Sequence, residues 1–250
     1  AMVGRLGTEA LAAAGMGSMI FWGALSLSIG IRTAVQTVTA RRLGQGLLKE
    51  SGMALRNGLA LATLYSFPTS FFAWRYSDSL AQFFIEDPVA TSLTADYVSI
   101  VFIGLLFSSY SFVFQGFFTG IEKTKIHMKV TIVSNVLNVY LNAGFIYGSS
   151  GVQEFFNEHL SSLSLISYLW GWVNFPALGV KGAAIATLVS SIWMAAHYTA
   201  SLLHKETKVK YSVFRLIFDS EMMKRQVQLA LPQGFQESVI ALGWGAFYKI

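Results

Sequence analysis

The chain has 250 residues, 54% of them hydrophobic and 12% charged, with a formal net charge of +5 and a mean hydropathy of +0.52. Ordinary soluble domains are about 25% charged, so a chain this apolar cannot cover itself with polar surface, and the composition points to a bilayer. The absence of cysteine excludes disulfide frameworks, thiolate nucleophiles and cysteine metal sites, and the basic residues cluster between apolar runs rather than along one soluble face, which argues against a nucleic-acid partner.

Residues 1–8 read as the tail of a helix that begins further upstream, since Ala1-Met2-Val3-Gly4-Arg5-Leu6-Gly7 carries no signal-peptide pattern. Six long apolar helices follow. The first, 9–40, is uncharged from Ala10 to Ile31; the second, 52–75, has its apolar centre between Arg56 and Arg75; the third, 94–120, is uncharged from Tyr97. The fourth, 128–149, lies in a run free of charge from Val130 to Gln153. The fifth, 178–203, is interrupted only by His197, and the sixth, 225–250, carries Glu237 near its middle. At 1.5 Å rise per residue, about 18–20 helical residues cross the roughly 30 Å hydrocarbon core, and each run reaches that length. Pro68 is expected to kink its helix, and Gly15, Gly23, Gly30, Gly104 and Gly116 suggest close helix packing or bending.

Residues 150–177 are the hard case. They are rich in serine, contain Trp170 and Trp172 and reach Asn174 and Pro176, which suits an extracytoplasmic loop or interfacial segment better than a further span. Charge agrees. With six spans, loops 41–56, 122–129 and 204–225 fall on one side and collect Arg41, Arg42, Lys49, Arg56, Lys123, Lys125, Lys129, Lys205, Lys208, Lys210, Arg215, Lys224 and Arg225, whereas the other side receives Arg5, Arg75 and Lys181 together with Asp78, Glu86, Asp87, Glu154 and Glu158. The positive-inside rule then makes those three loops cytoplasmic, with 204–224 a linker. The fold class expected is all-α, a polytopic transmembrane helix bundle in a cytoplasmic (inner) membrane.

Within this apolar background a few polar residues demand partners. Asn135, Asn138 and Asn142 are spaced i, i+3, i+7 and share one helix face, which must meet other helices, water or an ion. Interhelical amide bonds worth about 0.6–2 kcal/mol would account for them without transport. Glu237 is the one acid near the middle of any span; burial penalises its ionised form, so protonation, pairing or a bound cation is expected. Gln233 and Gln236 lie beside it and Pro232 just before, while Lys249 is an alternative structural partner. Tyr97 and Gln115 are candidate linings of the same polar interior, although Tyr97 falls near an interface where tyrosine is common. His127, His159, His197 and His204 lack metal-site spacing and receive no catalytic role. Arg32 is expected to snorkel or pair.

Three stretches carry a family resemblance. Met2 to Gly7 followed by an Ala-rich helix ending Ala40-Arg41-Arg42-Leu43-Gly44, then Gln115-Gly116-Phe117-Phe118-Thr119-Gly120 with Asn135 to Asn142, and finally Phe175-Pro176-Ala177-Leu178-Gly179-Val180-Lys181-Gly182, resemble in order the first-lobe helices of the multidrug and toxic compound extrusion (MATE) transporters. The resemblance implies one lobe of a two-lobe, six-plus-six-helix transporter: the end of the family's helix 1, all of helices 2–6, and the start of helix 7. It implies cation binding or coupling at Asn138, Asn142 and Thr187, with a helix 1 acid preceding Ala1, and it adds weight to Glu237. One branch of the family has an aspartate where Asn142 stands, and a neutral amide there is a weaker ligand for a hard cation.

The function implied is a Na+- or H+-coupled antiporter that exports bulky, amphipathic, often cationic small molecules by alternating access, monomeric once both lobes are present, with no cofactor beyond the coupling ion. Two alternatives stay open: a flippase for a lipid-linked oligosaccharide or lipid, which should line its cavity with more cations than Arg32 and Lys249, and an intramembrane enzyme, which would need a catalytic pair that the spans lack. A threonine such as Thr187 ordinarily bonds its own i−4 carbonyl.

Overall fold

A computed structural model describes residues 2–159, 164–215 and 217–248, and among them all regular structure is helical. Lys249 lies outside the described residues. After a short 3-10 turn at Val3–Leu6 come α1 (Thr8–Gly44), α2 (Leu48–Arg75), α3 (Ser77–Phe84), α4 (Pro88–Ile103), α5 (Leu105–Gly120), α6 (Thr124–His159), α7 (Ser164–Gly171), α8 (Gly179–Leu202), α9 (Lys205–Lys210) and α10 (Ser220–Tyr248).

α1 is the hub. It packs along α10, α5, α4 and α2, and α8 closes the bundle against α6, α4 and α5. Glycine sets the closest approaches. A methyl added at Gly116 would run into the Arg32 carbonyl, one at Gly30 into the Ala230 carbonyl, and one at Gly182 into the Phe145 carbonyl. With little hydrophobic drive between helices in lipid, such backbone-to-backbone contact is a main source of attraction. Gly15 and Gly23, by contrast, face open space, so their expected packing role does not hold.

Three helices, α1, α6 and α8, are long and apolar enough to cross a membrane, and α4 with α5 qualifies as a pair bent by 48°. The single helix expected over 94–120 is therefore two, meeting at Gly104. α2 and α10, at 28 and 29 residues, are long enough but more polar, and some of their polar groups turn inward. Asn57 and Gln226 are fully buried, and Gln226 Nε2 donates to the Ala54 carbonyl at 2.8 Å. α2 runs through Pro68, and α10 through Pro232, as single helices.

The segment 150–177 is more helical than expected. Gly148, at φ 74° and ψ 166°, breaks the path of α6, a left-handed φ that glycine adopts without strain. Helical turns then continue to His159, and α7 folds back so that Trp170 Nε1 donates to the Tyr140 carbonyl at 2.8 Å while the Tyr140 hydroxyl donates to the Leu169 carbonyl at 2.8 Å. The freed backbone near the break is satisfied across the chain, with Leu178 N–H donating to Phe145 O at 2.8 Å. Leu165, Tyr168 and Trp172 remain exposed, as an interfacial helix would leave them.

The linker between α8 and α10 is tied down rather than loose. Arg56 donates to the carbonyls of Ser212 at 2.6 Å and Ile217 at 3.1 Å. Tyr211 packs edge-on against Phe117 at 5.7 Å in the core, and burial, reinforced by the nearby carboxylates of Glu206 and Glu122, pushes its phenol above the usual tyrosine range.

Candidate functional site

α6 and α8 bring the asparagines to a shared interface. Asn138 Nδ2 donates to Ser190 Oγ at 3.3 Å, and Asn142 Nδ2, one turn further on, donates to Asn138 Oδ1 at 2.9 Å. Both donors thus point into the chain of bonds, and among the described residues no donor reaches Asn142 Oδ1. A carbonyl oxygen presented this way is a ligand for a hard cation or a partner for a carboxylic acid. Ser190 is buried and was not singled out from sequence; its place three residues after Thr187 is the signal that could have found it. Thr187 Oγ1 donates back to the Ala183 carbonyl at 2.9 Å, the local bond expected of a helical threonine. Asn135 is exposed and lies outside this group.

Glu237 stands elsewhere. α10 packs on α1 and more lightly on α2, whereas α6 packs on α8, α7 and α5, so Glu237 and the asparagine pair belong to different interfaces. Its Oε1 accepts from Gln233 Nε2 at 3.2 Å, and among the described residues no cation pairs with it. The carboxylate is half-buried in an α1–α10 cleft of about 410 Å3 shared with Ser18, Ser26, Trp22 and Trp244. Ser26 and Ser238 hydroxyls meet at 2.6 Å across this interface. Gln236, one residue before, is exposed and takes no part in the cleft. Among the described lining residues the cleft thus holds one acid together with two tryptophans.

Tyr97 is buried. Its ring covers Gly17 of α1 and its hydroxyl meets Ser18 Oγ at 3.2 Å, so it closes the wall behind the cleft. Gln115 belongs to a third group. Its amide nitrogen lies 2.9 Å from His127 Nε2, and His127 Nδ1 lies 2.6 Å from the Tyr198 hydroxyl and 3.2 Å from Thr131 Oγ1. With the amide donating to Nε2, the neutral ring carries its proton on Nδ1 and gives it to Tyr198. Tyr198 is fully buried and stacks on both Phe118 and His127. Arg32 lies over the Phe112 ring at 5.7 Å, a cation-π contact. This histidine-centred knot escaped sequence reasoning because its members come from three helices. Among the described residues no cluster of three metal-ligating side chains occurs.

The MatE family model matches residues 1–143. The probable multidrug resistance protein NorM of Agrobacterium fabrum is 26% identical over 216 residues, covering 85% of this chain and 41% of that protein. The NorM of Rhodopseudomonas palustris is 23% identical over 234 residues, covering 93% and 44%. The chain thus spans less than half the length of the curated relatives it matches. Among solved structures, an inward-facing conformation of a multidrug resistance MATE family transporter of the MOP superfamily superposes with a TM-score of 0.76 at 21% identity, covering 96% of this chain and 49% of that one. An outward-facing conformation gives 0.77 at 22% identity, covering 94% and 47%. At these identities the superpositions speak for the fold.

Proposed function

Because the chain belongs to the MatE family, matched over more than half its length, we propose that it supplies the first lobe and the following helix of a cation-coupled multidrug antiporter. The observation that carries the reading is the pair of polar sites inside an otherwise apolar bundle: the Asn142–Asn138–Ser190 chain between α6 and α8, and Glu237 in the α1–α10 cleft. The relatives' name, probable multidrug resistance protein, supports small amphipathic or cationic molecules as the transported class.

The two sites divide the work by charge. Neutral amides position a cation but cannot supply a titrating group, so Glu237 is the group that exchanges a proton or Na+ for an organic cation. A half-buried carboxylate within a membrane helix gains from a cationic partner. A proton, a Na+ or an organic cation supplies that partner, and only one can do so at a time. Coupling requires that the carboxylate favour a different occupant in each of the two alternating-access states. In this reading the basic end of the bundle, with loops 41–56, 122–129 and 204–225, faces the cytoplasm of a multi-pass inner-membrane protein, which works as a monomer of two lobes.

The test uses the full-length protein in proteoliposomes under imposed Na+ or H+ gradients, with efflux of a fluorescent organic cation as readout. Glu237→Gln should lower gradient-driven efflux by roughly 5- to 150-fold, the span of a typical coupling free energy, with unchanged insertion. Undiminished efflux under both gradients removes Glu237 from the mechanism.

A further inference from the structure

A second concave site opens at the basic end of the bundle, between the ends of α6 and α8 and the start of α9. Its wall carries Lys123, Lys129, His197, Ser201 and His204, and among the described lining residues Glu206 is the single acid. Its floor includes the buried Val130. Lys123 is held at the rim, with Nζ donating to Thr207 Oγ1 at 3.3 Å and pairing with Glu206 at 3.5 Å. Thr207 is itself buried, whereas the Glu206 side chain is 70% exposed, so the pair is loose and the acid can swing away. His197 Nδ1 is buried and meets no hydrogen-bond partner among the described residues. A buried donor or acceptor left unmade is costly, which points to a missing polar partner.

Polarity changes sharply along α8. His204, Ser201 and His197 face the pocket; one turn further, the Trp193 ring meets the His197 ring edge-on at 6.4 Å, and Trp193, Ile192 and Val189 are exposed apolar surface. A ligand lying along this helix would need several acceptor oxygens at one end and hydrocarbon at the other. Ammonium, imidazole and hydroxyl groups converging from three elements suit a tetrahedral phosphate better than a planar carboxylate, which offers two oxygens.

We propose that this pocket binds a phosphate group, that of an anionic phospholipid whose acyl chains run along α8 past Trp193. The inference rests on the reading of the chain as a membrane-embedded lobe whose basic end faces the inner leaflet. Basic pockets between spanning helices at that depth take anionic headgroups, at about 1 kcal/mol for each Lys or Arg near the surface.

Purified full-length protein, followed by thermal unfolding, is titrated with phosphatidylglycerol, phosphatidylcholine or inorganic phosphate. Phosphatidylglycerol should stabilise it and phosphatidylcholine should not, and K123Q/K129Q should weaken the effect by about fivefold per lysine removed. Lys129 is exposed, so K129Q alone provides a variant with little burden on folding, expected at about fivefold. Lys125, on the same turn and outside the pocket, is the control, and K125Q should leave affinity unchanged. Equal stabilisation by both lipids, or undiminished phosphatidylglycerol affinity in K129Q and K123Q/K129Q, overturns the proposal. Inorganic phosphate acting as strongly as phosphatidylglycerol overturns the lipid as the source of the phosphate. Efflux is not the readout, so lipid binding can fail with transport intact, and the two readings stand or fall separately.

Discussion

Asn57 and Asp219 hold each other through two hydrogen bonds: Asn57 Nδ2 donates to the Asp219 carbonyl at 2.9 Å, and Asp219 N–H donates to Asn57 Oδ1 at 3.4 Å. One side-chain amide thereby satisfies the backbone just ahead of α10, while the Asp219 side chain caps that helix by accepting from Met222 N–H at 2.8 Å. Asn57→Ala leaves the Asp219 backbone without these partners and should destabilise the protein by about 1–3 kcal/mol. A shift to lower temperature in detergent thermal unfolding checks it.

The α1–α10 interface makes a geometric prediction. Ser26 and Ser238 hydroxyls are 2.6 Å apart and the chain has no native cysteine, so S26C/S238C gives a clean background for crosslinking. Mild oxidation should join the two helices, detected by fragment linkage after cleavage in the intervening loop. Gly30→Val, whose side chain would collide with the Ala230 carbonyl, should abolish that crosslink.

Asn142 offers an oxygen where a carboxylate would offer a charge. Asn142→Asp should raise the stabilisation of the protein by Na+ over that by K+, because a hard anionic ligand joins the Asn138 amide. A Na+ titration of thermal stability in the variant and the parent measures this, and an identical response in both would place the cation elsewhere.

The histidine knot should behave as a unit. Tyr198→Phe removes the hydroxyl that meets His127 and should cost about 0.5–1.5 kcal/mol. Gln115→Ala breaks the opposite bond. A double-mutant cycle should give a coupling of about 0.5 kcal/mol or more, and strict additivity would show that the two bonds are independent.

Much of the architecture was legible because lipid imposes long apolar runs. The runs around Ala10, Tyr97, Val130 and Gly182 became α1, α4–α5, α6 and α8. Gly104 reads from the sequence as a place for packing or bending, but its 48° bend and the break at Gly148 depend on what sits across them, Leu188 in the first case and Phe175 with Ala177 in the second. The asparagine spacing puts Asn138 and Asn142 one turn apart, as the helical period fixes, whereas Asn135 lies exposed and outside their bonded chain. The separation of Glu237 from that face could not be read, because it depends on which helices α10 touches. The His127 knot shows the same limit: residues 115, 127 and 198 share no local pattern.

The clamp formed by Arg56, Asn57 and Gln226 fixes α10 at its first turns, while further along it slides past α1 on the bare backbone at Gly30 and Gly234. Such a helix is a lever with its fulcrum at the basic end. A small tilt there would be magnified with distance, and Glu237, about three turns beyond Gln226, lies on the long arm. A swing of α10 about that end would widen or narrow the cleft around Glu237, the acid among its described lining residues.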